Sequence, residues 1–222
     1  GKHFHFEYVN LWPRPYQTPH PPIWCPSLGS TETIEWAAHP DRRYVYLQNY
    51  SPFKSVTQFL NMYREIAQTQ YGYTASSEQV GWTAPVYVAD TDEQAIDEAR
   101  PHIEALFNKF LFLPFEILFP PGYLTMESYK RVQAHKRALL GGQTIENLMA
   151  QGIIIVGSPD TVRKRITKCH HEIGFHNFVT LLQFGTLPPD LTENNIRLFA
   201  AEVMPAIQQL TDREYLGFEP AG

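Results

Sequence analysis

The sequence predicts an α/β fold built on a parallel sheet with helical crossovers. Short apolar strands alternate with amphipathic helices along nearly all of the chain, and helix-opening residues follow several strands directly. The chain has 222 residues, 43% hydrophobic and 18% charged, enough to fold around a sizeable core. Four β/α units fit an open sheet or half of a (β/α)8 barrel, and the pattern alone does not choose between them.

Residues 3–9, HFHFEYV, alternate with Phe4, Phe6 and Tyr8 on one side and predict a strand. WPRPYQTPHPP then predicts an extended connector, because its prolines fix φ and lack a donor. PIWCPS predicts a short strand, and STETIEWAA a helix opened by Ser30 and Thr31 with Glu32 in its first turn. YVYLQ is the next strand. Val56, Phe59, Leu60, Tyr63, Ile66 and Ala67 make one helical stripe. VGWTAPVYVA is a strand, closed by Thr91 and Gln94 in a capping-box pattern. The helix that follows carries Ala95, Ala99, Ile103, Leu106 and Phe110, with Pro101 a kink point. A long insertion comes next. Ser158 and Pro159 open another helix, with Val162, Ile166, Cys169 and Ile173 inward. FVTLLQFG predicts a strand, and Leu191 to Ile207 a last helix facing inward through Ile196, Phe199, Ala200, Val203 and Ile207.

A net charge of −5 and a pI near 6.0 argue against a nucleic-acid partner. RKRITK at 163–168 reads as a solvated helix face. Two distant cysteines, Cys25 and Cys169, fit a reducing compartment, and a cytoplasmic location is expected. No apolar run predicts a membrane span, and the N-terminus GKHFHFEYVN has neither a signal-peptide pattern nor a Met. The expectation is one domain over 1–222, truncated at its N-terminus. Cys169, His170, His171 and His176 suggest a metal, but neighbours on a helix point different ways, so none is expected. His20 is expected to bond across the connector, and His3 and His5 to face solvent.

The turn after PIWCPS has two readings. Ser27, Gly29, Ser30 and Thr31 lie where a strand ends and a helix begins, where amides and hydroxyls can cradle a phosphate. Ser30 can equally cap its own helix, and Glu32 favours capping because it already complements the dipole. GSPDTV offers a second Gly-Ser start that capping explains.

Three stretches, LWPRPYQTPHPPIW…GSTETIEWAA, YVADTDEQA and VGSPDTV…NFVTLLQFGTLP…LFAAEVMPAI, together resemble the bacterial luciferase-like monooxygenases, flavin- or deazaflavin-dependent TIM-barrel enzymes. The likeness runs over almost the whole chain. It implies the C-terminal half of a barrel, strands five to eight, with a long insertion after the third strand present. It implies that the Ser27–Thr31 turn helps hold a flavin phosphate. Gln183, polar at the end of an apolar strand, meets either a flavin edge or a structural partner. The insertion from Phe112 to Gly142 would cover the substrate, with Phe115 and Tyr123 lining an apolar pocket. A dimer-interface or core role for it is the alternative.

The implied activity is oxidation of a small organic substrate by reduced FMN and O2, with a separate flavin reductase and a homodimeric enzyme. The alternatives are an F420-dependent hydride transfer and a non-catalytic half-barrel module for flavin binding or dimerisation. Catalytic residues are expected in the half that this chain lacks, and none is assigned here.

Overall fold

A computed structural model describes residues 4–10, 12–111, 125–127, 129–130, 133 and 142–210. Its strands are β1 (Trp24–Ser27), β2 (Val45–Asn49), β3 (Val80–Val88), β4 (Ile155–Gly157) and β5 (Asn177–Leu181). Its helices are α1 (Thr31–Ala38), α2 (Phe53–Thr69), α3 (Asp92–Ala105), α4 (Ile145–Ala150), α5 (Pro159–Ile173), α6 (Pro189–Leu198) and α7 (Met204–Ile207).

All pairings are parallel. β2 and β5 both pair with Gly81–Thr83 of β3 and so flank it on opposite sides. β4 extends the sheet along Val86–Val88. β3 is therefore central, which explains its nine-residue buried run. Trp82, Ala84, Val86 and Val88 pack with Ile34 of α1, with Val56, Phe59, Leu60 and Tyr63 of α2, and with Val162 and Ile166 of α5. Beyond the β2 contact, Tyr87 and Ala89 point the other way, into a second core with Ala95, Ala99 and Ile103 of α3.

The stripes expected on α2 and α5 are the buried ones. Ser158 caps α5 by accepting from Thr161 N, with Pro159 at the first helical position. Gly174 ends α5 in the left-handed conformation, and buried Arg64 donates to its carbonyl at 2.8 Å, tying α2 to α5. Thr91 caps α3, but Gln94 donates its side chain to Glu98, so only the Thr91 half of the capping box is seen.

Four expectations change. Residues 5–10 form no strand, and Phe4, Phe6 and Tyr8 are 73%, 68% and 81% exposed; alternation without a neighbouring strand makes no ladder. β4 escapes sequence reading because three residues are too few to show a period. Pro101 sits inside α3, which continues and widens into a π turn at Leu106–Phe110, leaving Phe110 exposed. The last helix is broken by a π turn at Phe199–Val203 ahead of Pro205, whose ring and missing N–H disturb the preceding turn. Its inward residues are Asn195, Phe199 and Val203, while Ile196 and Ala200 are exposed. Phe115 and Tyr123 lie outside the described residues.

Candidate functional site at the carboxyl ends of the strands

Parallel strands bring their C-terminal ends to one edge, where α/β folds bind ligands. Here that edge carries the β1–α1 turn, Asn49 to Ser51 after β2, the Asp90–Asp92 turn after β3 and Gln183 after β5.

The β1–α1 turn is built by Ser27. Its buried hydroxyl accepts from Gly29 N at 3.0 Å and from Ser30 N at 3.3 Å. Gly29 has φ +103°, and a Cβ there would lie 2.3 Å from the Phe59 ring, so glycine is required by conformation and by space. Ser30 caps α1 by accepting from Thr33 N at 3.4 Å, and its hydroxyl donates to Glu32 Oε2 at 2.7 Å. Glu32 Oε1 accepts from Thr125 N at 3.3 Å, which ties a residue from within the 112–142 segment to this turn. Ser27, Gly29, Ser30 and Thr31 thus lie in one turn, with both serine hydroxyls engaged inside the chain. Thr31 is the first residue of α1.

The second Gly-Ser start already holds an anion of its own. Asp92 Oδ1 accepts from Ser158 N at 2.6 Å, and Oδ2 accepts from the Thr161 hydroxyl at 2.9 Å. A Cβ at Gly157 would lie 2.8 Å from that carboxylate. The Ser158 amide is the first cause of a carboxyl held below the usual range, aided by the Ser158 and Thr161 side chains and Lys164 and opposed by burial. A depressed pKa stabilises the fold above the unfolded value, about 4, and the contribution is lost as pH falls through the folded value. Urea midpoints of the wild type are therefore expected to fall more steeply below about pH 4 than those of Asp92→Asn. Parallel acid profiles would contradict this.

Gln183 is exposed and lines a shallow cavity of about 440 Å³ with Leu187, Pro189, Thr192, Glu193 and Ile196. Exposed as it is, it does not point into the core. His20 Nδ1 contacts the Pro21 carbonyl at 2.7 Å, and His5 is exposed. Cys169 and His170 are buried and His171 is exposed, so the run does not converge. His170 Nδ1 sits 2.9 Å from the Phe175 carbonyl. Burial pushes the Cys169 thiol up to about 12 and raises Cys25 too. Arg163 and Lys164 pair with Asp160, and Lys168 with Glu172, as a solvated face does.

Sequence reading passed over the polar residues beneath the edge. Gln48, fully buried, accepts from the Tyr46 hydroxyl at 2.6 Å and donates to the Ser51 hydroxyl at 2.7 Å, which in turn donates to the Asn49 carbonyl at 2.9 Å. Tyr50, next to Asn49, has φ +41°, uncommon for a non-glycine residue. Asn49 and Thr83 are register partners, and the oxygens Asn49 Oδ1 and Thr83 Oγ1 are buried without a hydrogen-bond partner. Each of these is a polar residue within or at the end of an apolar strand, the same signal that drew attention to Gln183.

The sequence model of a family described as luciferase-like monooxygenase matches residues 1–177. An uncharacterized protein of Sinorhizobium fredii, y4wF, is 23% identical over 208 residues, covering 93% of this chain and 55% of that protein. Monooxygenase RslO1 from Streptomyces bottropensis superposes with a TM-score of 0.63 at 22% identity, over 92% of this chain and 54% of its own. The oxygenating constituent of 3,6-diketocamphane monooxygenase from Pseudomonas putida, in complex with FMN, gives 0.57 at 21%, over 83% and 48%. The chain spans about half the length of these relatives. Among the described residues no helix is long and apolar enough to cross a membrane.

Proposed function

We propose, since the chain belongs to the luciferase-like monooxygenase family, that it supplies one wall of a flavin site in an oxidoreductase that oxidises a small organic substrate with O2. The observation that carries this reading is the hydroxyl-lined β1–α1 turn at the shared C-terminal edge of a parallel sheet. FMN is the cofactor named for the diketocamphane relative. The parallel run β1-β2-β3-β5, with β4 as a further short strand on β3, fits strands five to eight of a barrel, and the span of about half a relative's length supports it. A flavin reductase, a second copy of the chain and a substrate cover formed by Phe115 and Tyr123 belong to the same proposal.

Bound reduced flavin supplies the electrons that activate O2; the protein binds, orients and keeps water out. In this reading Ser27 fixes the turn, Ser30 and Thr31 face the phosphate, and the α1 dipole favours the negative charge. The fit has one condition. The space above Gly29 is filled by Phe59, and the Ser30 hydroxyl is donated to Glu32, so a phosphate must take that hydroxyl from a carboxylate. Glu32→Gln is therefore expected to tighten FMN binding about tenfold by removing like-charge repulsion, and Ser30→Ala to weaken it about fivefold. Riboflavin, without a phosphate, should respond to neither. Quenching of flavin fluorescence measures both; unchanged FMN affinity in the two variants would refute the turn as the phosphate site.

A further inference from the structure

We infer that Asn49 and Thr83 form a two-point site for the N–H/C=O edge of a cyclic imide, the edge that a flavin ring presents. The inference rests on the flavin reading above and adds the residues that would grip the ring.

The two residues face one another across the β2–β3 ladder. Trp82 and Tyr46, on the same two strands, pack under the helices. Alternation along each strand therefore turns Thr83 and Asn49 to the opposite face. Thr83 is only 8% exposed. Its hydroxyl and the Asn49 Oδ1 both lack a partner. Buried polar atoms are nearly always paired, and an unpaired one costs its full desolvation.

Two neighbouring buried polar side chains are paired. Gln48 is closed by Tyr46 and Ser51, and Asn195 by three backbone groups. Trp82 Nε1 also lacks a partner, but its ring lies among Phe53, Phe175 and Phe178 on the helix face. Among the described residues, only at Asn49 and Thr83 do two unpaired oxygens stand in register, beside the positive-φ Tyr50 at a strand's C-terminal end.

The chemistry of the pair selects the ligand. A carbonyl oxygen can only accept, whereas a hydroxyl can donate. Together they complement an N–H adjacent to a C=O. Flavins and deazaflavins share that pyrimidinedione edge, so the site does not distinguish between them.

The test compares FMN with 3-methyl-FMN on the purified 222-residue chain. Both carry the phosphate, so their difference reports the ring edge alone. Wild type is expected to bind FMN about tenfold tighter than the methylated analogue. Thr83→Val should weaken FMN about tenfold, Thr83→Ser should restore it, and Asn49→Leu should abolish the preference between the two ligands. If Thr83→Val fails to fold, the two-ligand comparison on wild type still decides. Equal affinity for FMN and its 3-methyl analogue would overturn this inference and leave the flavin reading standing; a water held between the two oxygens gives that result. No FMN binding by wild type would overturn both.

Discussion

Asn195→Leu is expected to destabilise the protein by about 3–5 kcal/mol, because it strands three backbone groups at once, two of them buried. Asn195 is fully buried. Its Oδ1 accepts from Val88 N at 2.8 Å, and its Nδ2 donates to Val86 O at 2.9 Å and to Leu182 O at 2.8 Å. One α6 side chain thus joins the C-terminal ends of β3 and β5, where the strands themselves pair only as far as Pro85 and Leu181. Leucine keeps the branched heavy-atom skeleton and none of the hydrogen bonds. Aspartate keeps the acceptor but offers neither donor to the two carbonyls, so it should rescue little. Equilibrium urea unfolding reads the change; a loss under about 1 kcal/mol would mean that water replaces the side chain.

Gly29→Ala carries the second large effect, about 2–4 kcal/mol, from a left-handed backbone and a steric clash acting together. Its φ is +103°, and the added methyl would sit 2.3 Å from the nearest Phe59 ring atom. The two causes separate in a double mutant. Phe59→Leu clears the ring, so Gly29→Ala placed in that background should recover part of the loss and keep the backbone part. The same change should abolish FMN binding through the turn even where the protein remains folded, since Gly29 N and Ser30 N are held in place by Ser27. Full recovery in the Phe59→Leu background would show that conformation contributes nothing.

The parts of the fold legible in the sequence were those with long periods or local chemistry. The α2 stripe from Val56 to Ala67 spans more than three turns, and its inward residues are the buried ones. Ser30, Thr91 and Ser158 cap the helices that they were expected to cap, because capping depends on only a few neighbouring residues. What failed was non-local. Residues 5–10 have the alternation of a strand and no partner strand, which no local pattern reports. The last helix turns Asn195 inward in place of Ile196, since β3 and β5 stop pairing with each other there and their facing backbone groups demand a polar side chain.

The site divides in the same way. The β1–α1 turn was visible as Ser27, Gly29, Ser30 and Thr31, because a strand, a glycine and a capping serine are adjacent in sequence. Its demand for glycine comes in part from Phe59, 30 residues away, and so was not visible. Asp92 occupying the Ser158 amide joins positions 66 residues apart. The Asn49–Thr83 pair exists only through the register of two strands.

The most direct measurement is a crystal structure of the chain grown with FMN. The account predicts the phosphate within hydrogen-bond distance of Ser30 and Thr31 and the ring edge directed at Asn49 and Thr83. FMN lodged elsewhere, with the β1–α1 turn unchanged and the Ser30 hydroxyl still on Glu32, would contradict it.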